Sequence, residues 1–217
     1  MPNCNSVASS VTLQAWPSGG LVSGASGAGY RHGEGLAIAF NARLHAAQAG
    51  DSYAFKAAPT SPYPNLSGNF MPGVTKLSWL KNHNKCNQFV GDVLTLSGFR
   101  MPTTYQPGGK EHFVIAEDLP KKTKYFERIT SIEQLRPGDL MVIDNLARSG
   151  ASTAHVEIVT ACSSDGKVLE STGAHRDGAY TEARPGFWSN LRYDASGQCW
   201  RKPGSAIYLL RPKLRLE

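Results

Sequence analysis

Residues 82–99, NHNKCNQFVGDVLTLSGF, constrain this chain more than any other stretch, because they read as a buried amphipathic helix that opens on a cysteine. Phe89, Val90, Val93, Leu94 and Leu96 recur at close to helical spacing. Asn84 is placed to cap the start, and Gly98 to stop the chain just past the last turn. Such a helix needs a second layer on which to bury its apolar face. Cys86 then sits at the first turn, where unpaired N–H groups and the helix dipole favour a thiolate over a thiol. The competing use of an unpaired cysteine is as a small buried hydrophobe.

The length of 217 residues suits one domain with an irregular extension. A formal charge of +6 favours acidic partners: nucleic acid, anionic lipid or carboxylate-rich wall peptides. The densest basic groups, Lys121, Lys122 and Lys124, and then Arg211, Lys213 and Arg215, lack interleaved aromatics, so no nucleic-acid partner is expected. No window approaches the ~20 apolar residues of a membrane span, so no membrane insertion is expected. The start, MPNCNSVASSV, has no basic region followed by an apolar run, which predicts synthesis in the cytoplasm and any export by a signal-independent route. Of the four cysteines, reserving Cys86 for chemistry leaves Cys4, Cys162 and Cys199, hence at most one disulfide and three possible pairs.

Residues 1–75 read as an irregular N-terminal segment with one helix, at about 34–49, packed on a core formed by 76–215; the final 216–217 read as a cloning scar. On the 34–49 helix, Leu36, Ala37, Phe40, Leu44 and Ala47 fall on one face, expected to be buried. Residues 57–75, with four prolines, form a surface connection. Beyond the cysteine helix, 99–109 reads as a loop, 110–119 as a short helix, and 125–129 as a strand. Ser131 and Gln134 have capping-box spacing. Strands follow at 140–143, 154–161, 167–171 and 206–210. Helix first and antiparallel meander after predict an α+β domain, with the helix packed on a central antiparallel sheet.

His155 opens the strand HVEIVT, and Glu170 lies in the next, KVLEST. If those strands form a hairpin, a base and an orienting carboxylate reach one edge of the sheet, as a cysteine hydrolase requires. The Cys86 N–H is the first candidate oxyanion donor, with Asn82, His83 and Asn87 as further oxyanion or substrate contacts. Two other classes compete. A metal-binding module would draw on His83, Cys86, His112, His155 and His175, but no C-x-x-C pair supports it, so no metal and no cofactor are expected. A non-catalytic wall-binding domain would use Trp188, Tyr193 and Trp200 as a sugar platform.

Taken in order, these segments resemble a known group. The run from Lys85 to Val90, KCNQFV, resembles the D/N-C-S/N-x-F-V helix start of the NlpC and CHAP families of papain-like cell-wall amidases, with Asn87 where Ser is commoner. Arg136-Pro-Gly-Asp-Leu140 resembles their turn into the sheet, and Ala154-His155-Val156 with Ile158-Val159 their catalytic-histidine strand. Within that group, Cys86 to Val90 followed by Gly98-Phe99-Arg100-Met101-Pro102 resembles the amidase effectors of the bacterial type VI secretion system, the Tae family. The resemblance covers about residues 80–211. It implies a papain-like fold and a catalytic set of Cys86, His155 and Glu170. It also implies hydrolysis of amide bonds in peptidoglycan peptide stems in the periplasm of a rival cell, and a cognate immunity protein that occludes the cleft. A cysteine peptidase or deconjugating hydrolase acting on protein would use the same residues.

Overall fold

The computed structural model describes residues 32–61, 75–105, 111–145, 154–163 and 169–216. Cys4 and the first 31 residues lie outside them. Helix α1 spans His32–Ala49 and leads through a short 3-10 turn into strand β1 (Thr60–Ser61), which pairs with β2 (Thr75–Lys76). Helix α2 spans Cys86–Leu96. Strands β3 (Thr103–Tyr105) and β4 (Glu111–Phe113) form a small hairpin, and β5 is Phe126–Ile129. The main sheet is completed by β6 (Leu140–Asp144), β7 (His155–Cys162), β8 (Leu169–Ala174), β9 (Ala179–Ala183), β10 (Arg192–Asp194), β11 (Cys199–Lys202) and β12 (Ser205–Pro212). Its order is β10-β11-β12-β6-β7-β8-β9, every pairing antiparallel, with β5 joining the far end of β12. The described residues are therefore α+β, with two α-helices on a sheet of antiparallel strands.

Strand alternation divides the core in two. Val156 and Ile158 of β7, Leu140 and Val142 of β6, and Ala174 of β8 join Phe89, Val90, Val93 and Leu94 of α2 in one apolar cluster. Met141, Val159, Leu169, Ile207 and Leu209 point the other way and form a second, against which Phe187, Trp188 and Trp200 pack. Trp188 and Trp200 are thus anchors of that cluster, whereas Tyr193 stays partly exposed.

Several expectations change. Residues 111–113 are a strand instead of the start of a helix, and the helical turn follows at Ala116–Lys121 as 3-10. The cysteine helix starts at Cys86, two residues past Asn84, so Lys85 holds the cap position expected of Asn84. At the other end Gly98 adopts φ +78 and Phe99 N–H reaches the Leu94 carbonyl at 2.8 Å, the left-handed stop that a Cβ would disfavour. Cys162 and Cys199 are both free thiols, so the pairing between those two is excluded.

The largest correction concerns α1. Its buried residues are Ile38, Ala39, Ala42 and Ala46, while Leu36, Phe40 and Leu44, read from sequence as the core face, are 48%, 64% and 41% exposed. The helix is apolar on most sides, so periodicity alone does not select the face. Small side chains turned inward let it lie against both α2 and the edge strands.

Candidate active site

The site forms where the start of α2 meets the start of β7. Lys85, 2% exposed, buries its ammonium and donates to the carbonyls of Ala54 (2.8 Å), Phe55 (3.0 Å) and His83 (3.0 Å), which satisfies all three protons. Burial lowers its pKa. This clamp fixes the segments on both sides of the helix start. A buried network holds the next turn: Asp92 accepts from Tyr53 (2.6 Å), Gln88 (2.8 Å) and Ser61, and Tyr53 also meets His45 of α1 at 2.6 Å.

Cys86 is thereby placed at the first helical position, 7% exposed. His155 and Glu157 lie two apart on β7 and share the face that Val159 turns to the second cluster. Because His155 is the first residue of its strand, its imidazole stands at the rim of the sheet, close enough to Cys86 for the sulfur to favour its charged form. Its Nε2 is 2.7 Å from Glu157 Oε1, which leaves Nδ1 for the sulfur.

Glu157, the carboxylate that orients the imidazole, is fully buried and fully satisfied. Oε1 accepts from His155 and from Arg184 Nη2 at 2.5 Å; Oε2 accepts from Arg184 Nε at 3.1 Å and from the Ser171 hydroxyl. Burial by itself would raise the carboxyl pKa, but His155, Arg184 and Ser171 together bring it down to about 2. Burial likewise opposes the charged form of His155, and the hydrogen bonds and charges of Cys86 and Glu157 reverse this, raising it to about 10. The imidazole is held protonated between a sulfur and a carboxylate.

Glu170, expected in this role, lies elsewhere. It pairs with Ala161 across the β7–β8 ladder, six residues from His155, or roughly 20 Å along the strand. It projects to the helix side and ion-pairs with Arg43 of α1 at 2.6 Å. The sequence placed Glu170 near the end of its strand, but β8 begins at Leu169 and runs on to Ala174, so its far end is the one beside His155. From the Ile158↔Thr172 pair, three steps along each strand bring His175 opposite His155, and the two rings are 5.1 Å apart. The alternation H-x-E within HVEIVT was the available signal for Glu157, since residues i and i+2 of a strand share a face. Gly173 is required beneath it: a Cβ there would meet Glu157 Cγ at 2.5 Å.

Of the remaining expected contacts, the backbone donors of Asn82 and His83 and the side chain of Asn87 already have partners. The Asn82 N–H donates to the Phe55 carbonyl (2.7 Å) and the His83 N–H to that of Leu80 (3.1 Å), so neither backbone donor is open to an oxyanion. The Asn87 side chain donates to the Phe113 carbonyl at 2.9 Å and ties α2 to β4. The Cys86 N–H, at the first helical position, has no acceptor within the helix.

His175 completes the cluster. Its ring stacks on Tyr180 at 4.3 Å, and its Nε2 lies 3.5 Å from Glu157 Oε1 and 3.9 Å from Glu182 Oε1. Burial, the largest influence, lowers its pKa. One ligand atom from each of His155, Glu157 and His175 lies within 4.8 Å of the others, a set able to hold a metal ion. His112, another histidine considered for a metal, instead meets the Phe113 carbonyl at 3.0 Å through Nδ1. No protein-family model matches this chain, and no curated protein or solved structure matches it either.

Proposed function

We propose that this protein is a papain-like cysteine hydrolase that cleaves amide bonds in peptidoglycan peptide stems, acting as an antibacterial effector. One observation carries the hydrolase reading: Cys86 opens α2 beside an imidazole whose Nε2 is held by a buried carboxylate. The substrate class rests on the KCNQFV, RPGDL and AHVEIV segments and their order, and on the net charge of +6, which suits an acidic polymer.

In this reading the Cys86 thiolate attacks the amide carbon, and the Cys86 N–H faces the oxyanion that develops. His155 gives its proton to the leaving nitrogen, the C–N bond breaks, and an S-acyl enzyme remains. The neutral imidazole then takes a proton from water, whose oxygen attacks the thioester. The acid leaves and the thiolate–imidazolium pair is restored. Glu157 keeps the ring aligned and its Nε2 proton in place throughout, with Arg184 and Ser171 holding Glu157. Action in a rival's periplasm and inhibition by an immunity protein belong to the same proposal.

The test is incubation with purified muropeptides and mass spectrometry of the products. New free amino groups at a stem amide are expected; intact muropeptides alongside cleavage of folded or conjugated protein would move the reading to a protein peptidase. Selective chemistry at the thiol gives a second check. Iodoacetamide should modify Cys86 ahead of Cys162 and Cys199, whose pKa values burial raises, and equal rates would count against an activated sulfur.

A further inference from the structure

Among the described residues, buried side-chain nitrogen or oxygen atoms without a hydrogen-bond partner are Nε2 of His175 and Nε1 of Trp200. The indole nitrogen faces an apolar cluster, but the imidazole nitrogen points at a carboxylate oxygen that is already shared by His155 and Arg184. A buried polar atom left unmet costs about 1–3 kcal/mol, so an arrangement that retains one beside two candidate ligands calls for an occupant.

We propose that His155 Nε2, Glu157 Oε1 and His175 Nε2 form a zinc-type divalent-cation site that competes with the catalytic state of His155. Two histidines and one carboxylate are a known donor set for zinc with an open fourth position, which water would fill. The separations of 2.7 and 3.5 Å from Glu157 Oε1 bracket the roughly 3.3 Å between ligand atoms that lie 2.0–2.1 Å from a tetrahedral ion. Two ligands come from one strand in H-x-E spacing and the third from the facing register position on its neighbour, so the sheet itself sets their spread.

Charge also fits. Glu157 and Glu182 carry two negative charges against one on Arg184, and Arg184 retains Glu182 as a partner when Glu157 turns to a metal. Cys86 does not belong to the set, whose ligand atoms gather around the Nε2 side of His155 that faces Glu157. The ion displaces the Nε2 proton, so binding releases a proton and tightens as pH rises. The Nδ1 proton stays, facing the sulfur; giving it up would leave a metal-bound imidazolate, so the acid step slows. That inhibition rests on the hydrolase reading, whereas the binding site does not.

The experiment titrates the full-length, chelator-stripped protein with Zn²⁺ against a chromogenic chelator, without any activity measurement. One equivalent is expected to bind. Glu157→Gln and His175→Ala should each lose about tenfold or more in affinity, while Cys86→Ala stays within about twofold. Thermal melts of each variant separate loss of a ligand from loss of the fold, and His175→Gln gives a milder second variant. Cobalt(II) substitution should give tetrahedral ligand-field bands without a thiolate charge-transfer band. Failure to bind one equivalent, unchanged affinity in the folded His175 variants, or a thiolate band would overturn the site. Muropeptide hydrolysis that depends on added zinc would overturn the inhibitory role. Inactivity on muropeptides with zinc binding intact would remove the hydrolase reading and leave the site standing.

Discussion

The two helices lie on the same side of one sheet, yet they use apolar residues in opposite ways. In α2 the large side chains Phe89, Val90, Val93 and Leu94 are all fully buried, and Leu96 in the last turn, read from sequence as part of that face, is 40% exposed. In α1 the large ones, Leu36, Phe40 and Leu44, face outward, and the alanines with Ile38 make the contact. One difference is in how completely each helix is enclosed. Both pack on β7, on β8 and on each other, but α2 is also covered by β4, while α1 adds the edge strand β9. A helix surrounded on most sides buries whatever is large; one that covers an edge lies closest through small residues. The proposed nucleophile follows the same division, since Cys86 opens α2 next to the Lys85 clamp.

The contrast is sharpest at the helix starts, and Cys86→Ala should abolish stem-amide hydrolysis. A variant that still releases amino groups at the wild-type rate would remove the thiol from the mechanism. Glu157→Gln should cut kcat by about 10²–10⁴-fold with the fold retained, by disturbing the hydrogen bond that orients the base. Glu170→Gln, which only loosens an exposed pair with Arg43, should leave kcat nearly unchanged and alter stability by about 0–1 kcal/mol. Equal effects of the two carboxylates in one muropeptide assay would break the comparison.

In the helix bodies, Phe89→Ala should cost about 3–5 kcal/mol in urea unfolding, the usual loss for a buried aromatic. Phe40→Ala should stay within about 0.5 kcal/mol, as surface substitutions do. A large loss at Phe40 would show that its face is covered in solution.

The smallest expected effect is on pH dependence. Burial raises Asp92 to about 7, despite hydrogen bonds from Ser61, Tyr53 and Gln88 that lower it. Its folded value lies above the ~3.9 of an unfolded Asp, so the native state binds the extra proton between those limits. Its contribution is complete below about pH 4 and lost as pH rises to about 7. Asp139, raised by burial to about 6, acts in the same direction. Asp92→Asn should therefore reduce the fall in urea-derived stability between pH 4 and 7 and leave a remnant from Asp139. An unchanged slope would show that Asp92 is ionised throughout.

Local pattern was enough to read α2, its glycine stop and most of the sheet. Phe89, Val90, Val93 and Leu94 match one period, and the HVEIVT and AIYLL runs are continuous enough to need a sheet. It also marked Cys86, which opens α2, and His155, which opens β7. The third group was harder. The H-x-E alternation pointed to Glu157, but that Glu170 lies far from His155 depends on where β8 begins and on the register shift between Val159 and Ala161, and neither leaves a trace in residue types.

The amino-acid order alone determined that a cysteine would open a helix destined for burial and that a histidine would open a strand, because periods of 3.6 and 2 are properties of a short segment. Tertiary structure decided the rest: that Glu157 and not Glu170 holds the imidazole, that Lys85 and not Asn84 secures the helix start, and that α1 turns its alanines inward. Those outcomes depend on which surfaces are within reach once strands and helices have met, and a segment carries no record of its neighbours.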